Sequence, residues 1–257
     1  MKFFAKQKRI ASAKLVTSSR RLLILLLLLP LLVGPAATPL HAAAAPPEAA
    51  ARAALQQWMT ASSKTKSVTA DFEQLRNLSN VKRPLRKQGK LWMVKEGGRF
   101  RWQVGEPPTL IVVRGADGGM MVIDVADKEA HVWSKETLLE REKEGKGQGF
   151  ASMMEAMNAP SLAEFEQRFK LEDWRVDPAN PSGWEFDLSF RDRRTSLVVR
   201  QLKLAVNTQD GALRSMTLHM RDGSSLSTVI RGYTLNKAVP PDVFKVDTAG
   251  YEVNKEE

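Results

Sequence analysis

Gly89-Lys-Leu-Trp-Met-Val-Lys95, Glu96-Gly97-Gly98, Arg99-Phe-Arg-Trp-Gln-Val104 and Gly105-Glu-Pro-Pro108 follow one another without a break, and they alternate strand chemistry with turn chemistry. Phe100, Trp102 and Val104 interleave with Arg99, Arg101 and Gln103, the period of two that sets one face of a strand on a core and the other in water. Working outward, Val68, Ala70 and Phe72 alternate upstream. Downstream, Trp184, Phe186, Leu188 and Phe190 alternate with Glu185, Asp187 and Ser189, and the pattern returns at Leu202, Leu204 and Val206 and at Met216, Leu218 and Met220. Asp117-Gly118, Asp210-Gly211 and Asp222-Gly223 supply turns, because few residues other than Gly tolerate positive φ. About eleven strands follow from this reading, and nothing between them suggests helical crossovers, so an antiparallel sheet is predicted.

Helical spacing occurs in two places. Glu48 to Thr60 is Ala-rich, with Leu55, Trp58 and Met59 on one side. Lys135 to Gly149 is charged and Gly-rich and reads as a loop. Phe150, Met153, Met154 and Met157 then resume helical spacing before Pro160, and Ser161-Leu-Ala-Glu164 is a capping box for a short helix carrying Leu162, Phe165 and Phe169. These helices are the available cover for the sheet.

The chain has 257 residues, of which 43% are apolar and 26% charged, the balance of a folded chain. Its formal charge of +10 is unevenly placed, since seven basic residues precede Leu22 and the first acidic residue is Glu48. A basic stretch ending at Arg20-Arg21, an apolar run from Leu22 to Val33 and a small-residue tail have the order of a secretory leader. The expectation is a signal peptide over 1–44, cleaved near Ala42 to Ala44, with a retained anchor as the alternative, a single domain over 45–257, and a periplasmic location. The absence of Cys excludes disulfides, thiol nucleophiles and a lipid-modified N-terminal Cys.

No catalytic residue, metal ligand or cofactor site is expected. His131 and His219 occupy isolated strand positions, and there is no nucleophile elbow or Walker loop. Gly145-Lys-Gly-Gln-Gly149 lacks the ending of a phosphate loop, and Asp192-Arg193-Arg194 reads as a hairpin tip rather than a recognition patch. Nucleic acid is set aside as a partner, because without the leader the basic and acidic residues number 32 and 29. What remains is an apolar interior. Phe72, Leu91, Met93, Phe100, Trp102, Trp184, Phe186 and Leu188 are its expected lining, joined by Phe190 on the same alternation. The expected lid is Met153, Met154, Met157 and Phe165, hinged at 145–149, with the Ala51–Met59 helix as the alternative cover. Asp187 is expected to face water, so that Asp187→Ala would do little.

The quoted stretch, with the Pro pair at 107 and 108, Leu110-Ile-Val-Val-Arg114 and Asp117-Gly118, resembles the core signature of the periplasmic outer-membrane lipoprotein carrier family (LolA-like). Asp71-Phe72-Glu73-Gln74 is similar to that family's first-strand F-x-Q, and Pro241-Asp-Val-Phe244 to its closing element. The resemblance runs from about Ala50 to Tyr251. It implies an open, incomplete antiparallel barrel lidded by short α-helices. It also implies a carrier role, in which the acyl chains of lipoproteins are taken from an inner-membrane ABC transporter complex to an outer-membrane receptor by a monomer without a cofactor. Two departures stand out. Glu96-Gly97 replaces the family's Arg-Pro, whose Arg bonds to the lid, leaving Lys95, Arg99 or Arg101 as candidate substitutes. Met120, Met121, Val122 and Ile123 replace aromatics after Asp-Gly. A related module for a glycolipid or other amphiphile, or for sensing envelope stress, is the alternative reading.

Overall fold

The computed structural model describes residues 46–143 and 161–256. The leader and Met153, Met154, Met157 and the 145–149 segment therefore lie outside the described residues. Twelve strands form one sheet: β1 (Ser67–Asn77), β2 (Leu85–Val94), β3 (Arg99–Val104), β4 (Leu110–Arg114), β5 (Met120–Asp124), β6 (Glu129–Trp133), β7 (Phe169–Asp177), β8 (Asn180–Phe190), β9 (Val199–Asn207), β10 (Leu213–Met220), β11 (Ser225–Leu235) and β12 (Glu252–Glu256). Their order is β12-β6-β5-β4-β3-β2-β1-β11-β10-β9-β8-β7. Two meanders, β1 to β6 and β7 to β11, are thus joined where β1 pairs with β11. β7 and β12 stand at opposite ends of the order, so the sheet is open.

Two expectations about the sheet need correction. The twelfth strand, β12, is polar and shows no alternation, and it pairs with β6 in parallel, so the sheet is not wholly antiparallel. Its backbone groups find partners regardless of side-chain pattern, which is why alternation does not reveal it.

Register places the apolar alternations on one face. Trp102 lies opposite Leu91 and Leu91 opposite Ala70. Phe72 lies opposite Ile230, and Thr228 opposite Met216. Met216 then leads through Leu204 to Phe186 and Trp174. Bulges at Asp71/Phe72, Leu213/Ser215 and Leu171/Asp173 bend the sheet along this path.

Helix α1 (Glu48–Ser63) covers the β7–β10 half of that face, burying Ala51, Ala54, Leu55, Trp58 and Met59 against Phe186, Leu188, Leu202 and Leu204. Burying each large side chain contributes about 1.5–3 kcal/mol, so α1 is held by packing more than by its Ala-rich propensity. The stretch read as a loop from Lys135 is instead a helix, α2 (Lys135–Lys143), opened by Ser134, whose hydroxyl accepts the Thr137 N–H at 3.0 Å. Strong helix formers after a capping Ser decide this segment, and the glycines begin only at Gly145. The capping box is present: Ser161 Oγ accepts the Glu164 N–H at 3.2 Å and opens α3 (Leu162–Arg168). A short helix, α4 (Arg193–Ser196), sits at the β8–β9 tip, capped by Asp192.

On the opposite face of β4–β6, Ile111, Ile123 and Ala130 pack against Val246 and Tyr251. The Pro241–Phe244 turn lies beside β3, where Arg101 donates to the Val243 carbonyl at 3.1 Å and the Arg99 guanidinium sits over Phe244. The basic residues of Arg99-Phe-Arg-Trp102 are therefore occupied in holding down the C-terminal segment.

Asp187 does not face open water. It is 6% exposed, ion-paired with Lys203 at 3.0 Å and accepting from Gln201 Nε2 at 2.9 Å. Strand alternation puts it on the outer face, but neighbouring long side chains cover it. Asp187→Ala is accordingly expected to cost about 1 kcal/mol through loss of the Lys203 and Gln201 contacts. Urea unfolding with an unchanged midpoint would contradict this burial.

Candidate apolar binding site

Where the two halves of the apolar face meet, a cavity of about 60 Å³ lies between the sheet and the C-terminal end of α1. Leu91, Met93 and Trp102 line it from β2 and β3, Met216 and Ile230 from β10 and β11, and Trp58 from α1. At roughly 30 Å³ per water this is room for about two waters. Pockets that enclose a small organic ligand run to about 300 Å³ or more. In the described conformation the space under α1 is therefore too small for such a ligand.

The residues expected to line the interior divide between this cavity and the packing under α1. Of the expected set, Leu91, Met93 and Trp102 line the cavity. Phe72 lies against them, stacked on Trp102 with ring centres 4.0 Å apart, and Phe100 belongs to the same cluster. Trp184, Phe186, Leu188 and Phe190 belong to the packing under α1. Phe165 of α3 is in that packing too, 4.8 Å from Phe169 between ring centres. Gly89 explains how Phe72 fits. A methyl there would come within 2.2 Å of the Phe72 ring and 2.4 Å of the Gln103 carbonyl oxygen, so only glycine lets the ring lie on β2.

Three contacts tie down the end of α1. Trp58 donates its indole N–H to the Gly211 carbonyl at 3.1 Å. Lys95 donates to the Ser62 carbonyl at 2.7 Å and to the Ser62 hydroxyl at 3.4 Å, adding a side-chain donor to a carbonyl that also accepts the Thr65 N–H at 3.0 Å. Gly211 itself, at φ +72°, lies directly against the backbone of Ala61 and Ser62. Among the candidate substitutes for the family's Arg, Lys95 is thus the one that bonds the covering helix, while Arg99 and Arg101 face the C-terminal segment. A more open, polar cleft of about 610 Å³, lined by Lys66, Lys95, Arg99 and Lys237, adjoins the far side of Lys95.

Burial holds the Lys95 ammonium below the usual lysine value of 10.5. The charged form is therefore penalised in the folded state. That penalty persists at low pH and is relieved as pH rises through the depressed value toward 10.5, so this group makes the folded state more stable with rising pH over that interval. Melting curves across the interval should show an alkaline gain in the native protein that Lys95→Met lacks. Parallel curves would remove Lys95 from the closure.

Cavity-lining residues that the sequence does not mark as lining include Trp58, Met216, Ile230 and Tyr233. Burial pushes the Tyr233 hydroxyl above its ordinary value. The two isolated histidines have structural surroundings: His131 Nδ1 lies 2.6 Å from Glu256 of β12, and burial, with help from Lys203 and Arg200, lowers the pKa of His219. Among the described residues no group of three or more His, Cys, Asp or Glu could hold a metal ion, and no helix is long and apolar enough to cross a membrane.

No family model and no curated protein matches this chain. Among solved structures it is similar to an uncharacterized conserved protein from Thermus thermophilus, at 9% identity and a TM-score of 0.47 over 80% of this chain and 99% of that one. It is similar also to the lipoprotein LppX of Mycobacterium tuberculosis, at 9% identity and a TM-score of 0.43 over 76% and 100%. A putative outer membrane lipoprotein-sorting protein domain from Vibrio parahaemolyticus is similar at 9% identity and a TM-score of 0.41 over 75% and 95%.

Proposed function

We propose that this protein is a periplasmic carrier that encloses the acyl chains of lipoproteins between its sheet and α1, moving them from the inner to the outer membrane without chemical turnover. The observation that carries the proposal is the small apolar cavity under a helix whose end is fastened by a lysine, a tryptophan and a glycine contact. A packing core alone has no need of a half-buried ammonium at its edge, whereas a cover that opens benefits from a fastening weaker than its packing. Each methylene taken from water is worth about 0.8 kcal/mol, so an acylated anchor crosses an aqueous compartment only inside such a cover. Handover between membrane and carrier is then close to isoenergetic and needs no metal or nucleotide. The sequence resemblance to lipoprotein carriers supplies the cargo class, the transporter and the receptor in this reading.

Native mass spectrometry of protein purified from envelope extract tests it. Acylated polypeptides bound in stoichiometric amount are the expected result. Bound glycolipid with no acylated protein would move the assignment to the alternative amphiphile carrier. Failure of a fluorescent fatty acid to saturate the protein would remove acyl binding altogether.

A further inference from the structure

We infer that the end of the sheet opposite the α1 fastening is a docking surface for an anionic lipid bilayer. This inference does not depend on the identity of the cargo. The β1–β2 loop, the β8–β9 connection with α4, and the β10–β11 turn all lie at this end, because β2 and β9 begin there and β1, β8 and β10 finish there. Residues 76–87, 191–200 and 221–224 contain ten arginines and lysines against two aspartates. Lys82, Arg83, Arg193 and Arg221 are all exposed.

The three loops form one surface. Arg221 donates its backbone N–H to the Val198 carbonyl at 2.9 Å, joining the β10–β11 turn to the β8–β9 connection. A methyl on Gly223 would lie 3.7 Å from Ser79, joining the same turn to the β1–β2 loop. β2 and β9 are four strand spacings apart, about 19 Å.

Apolar side chains project from this cationic row. Among the described residues five large hydrophobic side chains are exposed, and three of them are here: Leu85 at 50%, Leu197 at 67% and Val198 at 44%. Single exposed apolar residues need no explanation. Leu85 between Arg83 and Arg86, and Leu197 three residues after Arg194, do, because phosphates or carboxylates alone give them nothing apolar to enter. A bilayer offers both halves of the match, phosphates for the cations and an acyl boundary for Leu85, Leu197 and Val198. The reading of Asp192-Arg193-Arg194 as a mere hairpin tip is thereby extended: the tip is real, and it belongs to a contact surface. The α1 fastening, at the Gly211 end of β9 and β10, stays clear of the membrane.

Co-sedimentation of the purified protein with vesicles tests the inference, comparing phosphatidylcholine alone with phosphatidylcholine mixed with phosphatidylglycerol. Binding to the mixed vesicles, weakened by salt and absent on phosphatidylcholine, is expected. The double variant Lys82→Glu/Arg83→Glu should bind them more than about tenfold less well, with an unchanged melting temperature. Leu85→Ser/Leu197→Ser should lose the salt-resistant part of the binding. No sedimentation with the mixed vesicles, equal sedimentation with both, or an unaffected charge-reversal variant would overturn the proposal. Polyglutamate competing away all binding, with the leucine variant unaffected, would overturn it in favour of an acidic protein partner.

Discussion

Phe72→Ala should be among the most damaging single truncations in this chain, costing about 3–5 kcal/mol and lowering the melting temperature by roughly 10 °C or more. Phe72 is 2% exposed, stacks on Trp102 and lies over a glycine that no other residue can replace without meeting its ring. Because Gly89 has no side chain, nothing on β2 can fill the hole, so relaxation is limited. Coupling makes the test specific. Gly89→Ala alone forces overpacking against Phe72 and the Gln103 carbonyl, a cost of about 1–3 kcal/mol or more. In the double variant the added methyl occupies space that the lost ring vacated, and the combined loss should be smaller than the sum of the singles. Additive losses would show that Phe72 and Gly89 do not share that space.

Gly211→Ala should unfasten the end of α1. Two costs combine there: a left-handed backbone that disfavours a side chain by about 1 kcal/mol, and a methyl placed 2.3 Å from the Ser62 nitrogen and 2.6 Å from its Cα, where backbone must yield. Together they amount to about 2–4 kcal/mol, enough to lift the last turn of α1 and separate Trp58 from the Gly211 carbonyl. Hydrogen exchange in the last two turns of α1 should quicken by at least about tenfold while the β3–β5 amides remain protected. Under the carrier reading the same variant should also take up a fluorescent fatty acid more tightly, since less energy is spent in opening. Unchanged exchange in α1 would mean that its hold does not depend on the Gly211 contact.

Much of the architecture is legible in the sequence because a strand with one face buried must alternate. Phe100/Trp102/Val104 and Trp184/Phe186/Leu188 all lie on the face that their alternation requires. The capping box at Ser161 is equally local and equally visible. What escapes is whatever is decided by partners far away in the chain. β12 pairs through its backbone, so its Glu, Asn and Lys carry no signal. Asp187 alternates outward and is then covered by Lys203 and Gln201. The same limit applies to the candidate site. Leu91 and Trp102 can be read from their strands, but the division between cavity lining and packing depends on where α1 comes to rest. Lys95 is singled out beforehand only through the family resemblance, beside Arg99 and Arg101, and which of the three meets a helix end is settled by contact with α1. Its partner, Ser62, is more than thirty residues earlier, and no spacing rule connects them.

The pairing of β1 with β11 also has a consequence in time. β1 meets β2 across a short loop, but its other edge waits for a strand that appears only after β10, with Phe72 finally opposite Ile230. A chain delivered from its N-terminus therefore presents an apolar, half-paired β1 throughout the synthesis of the second meander. Such non-local closure is slow, because the loop entropy must be met before the contacts reward it. Assembly of this protein should therefore be most vulnerable to misassociation before Ser225–Leu235 emerges, and chains truncated ahead of β11 should aggregate even though the entire first meander is present.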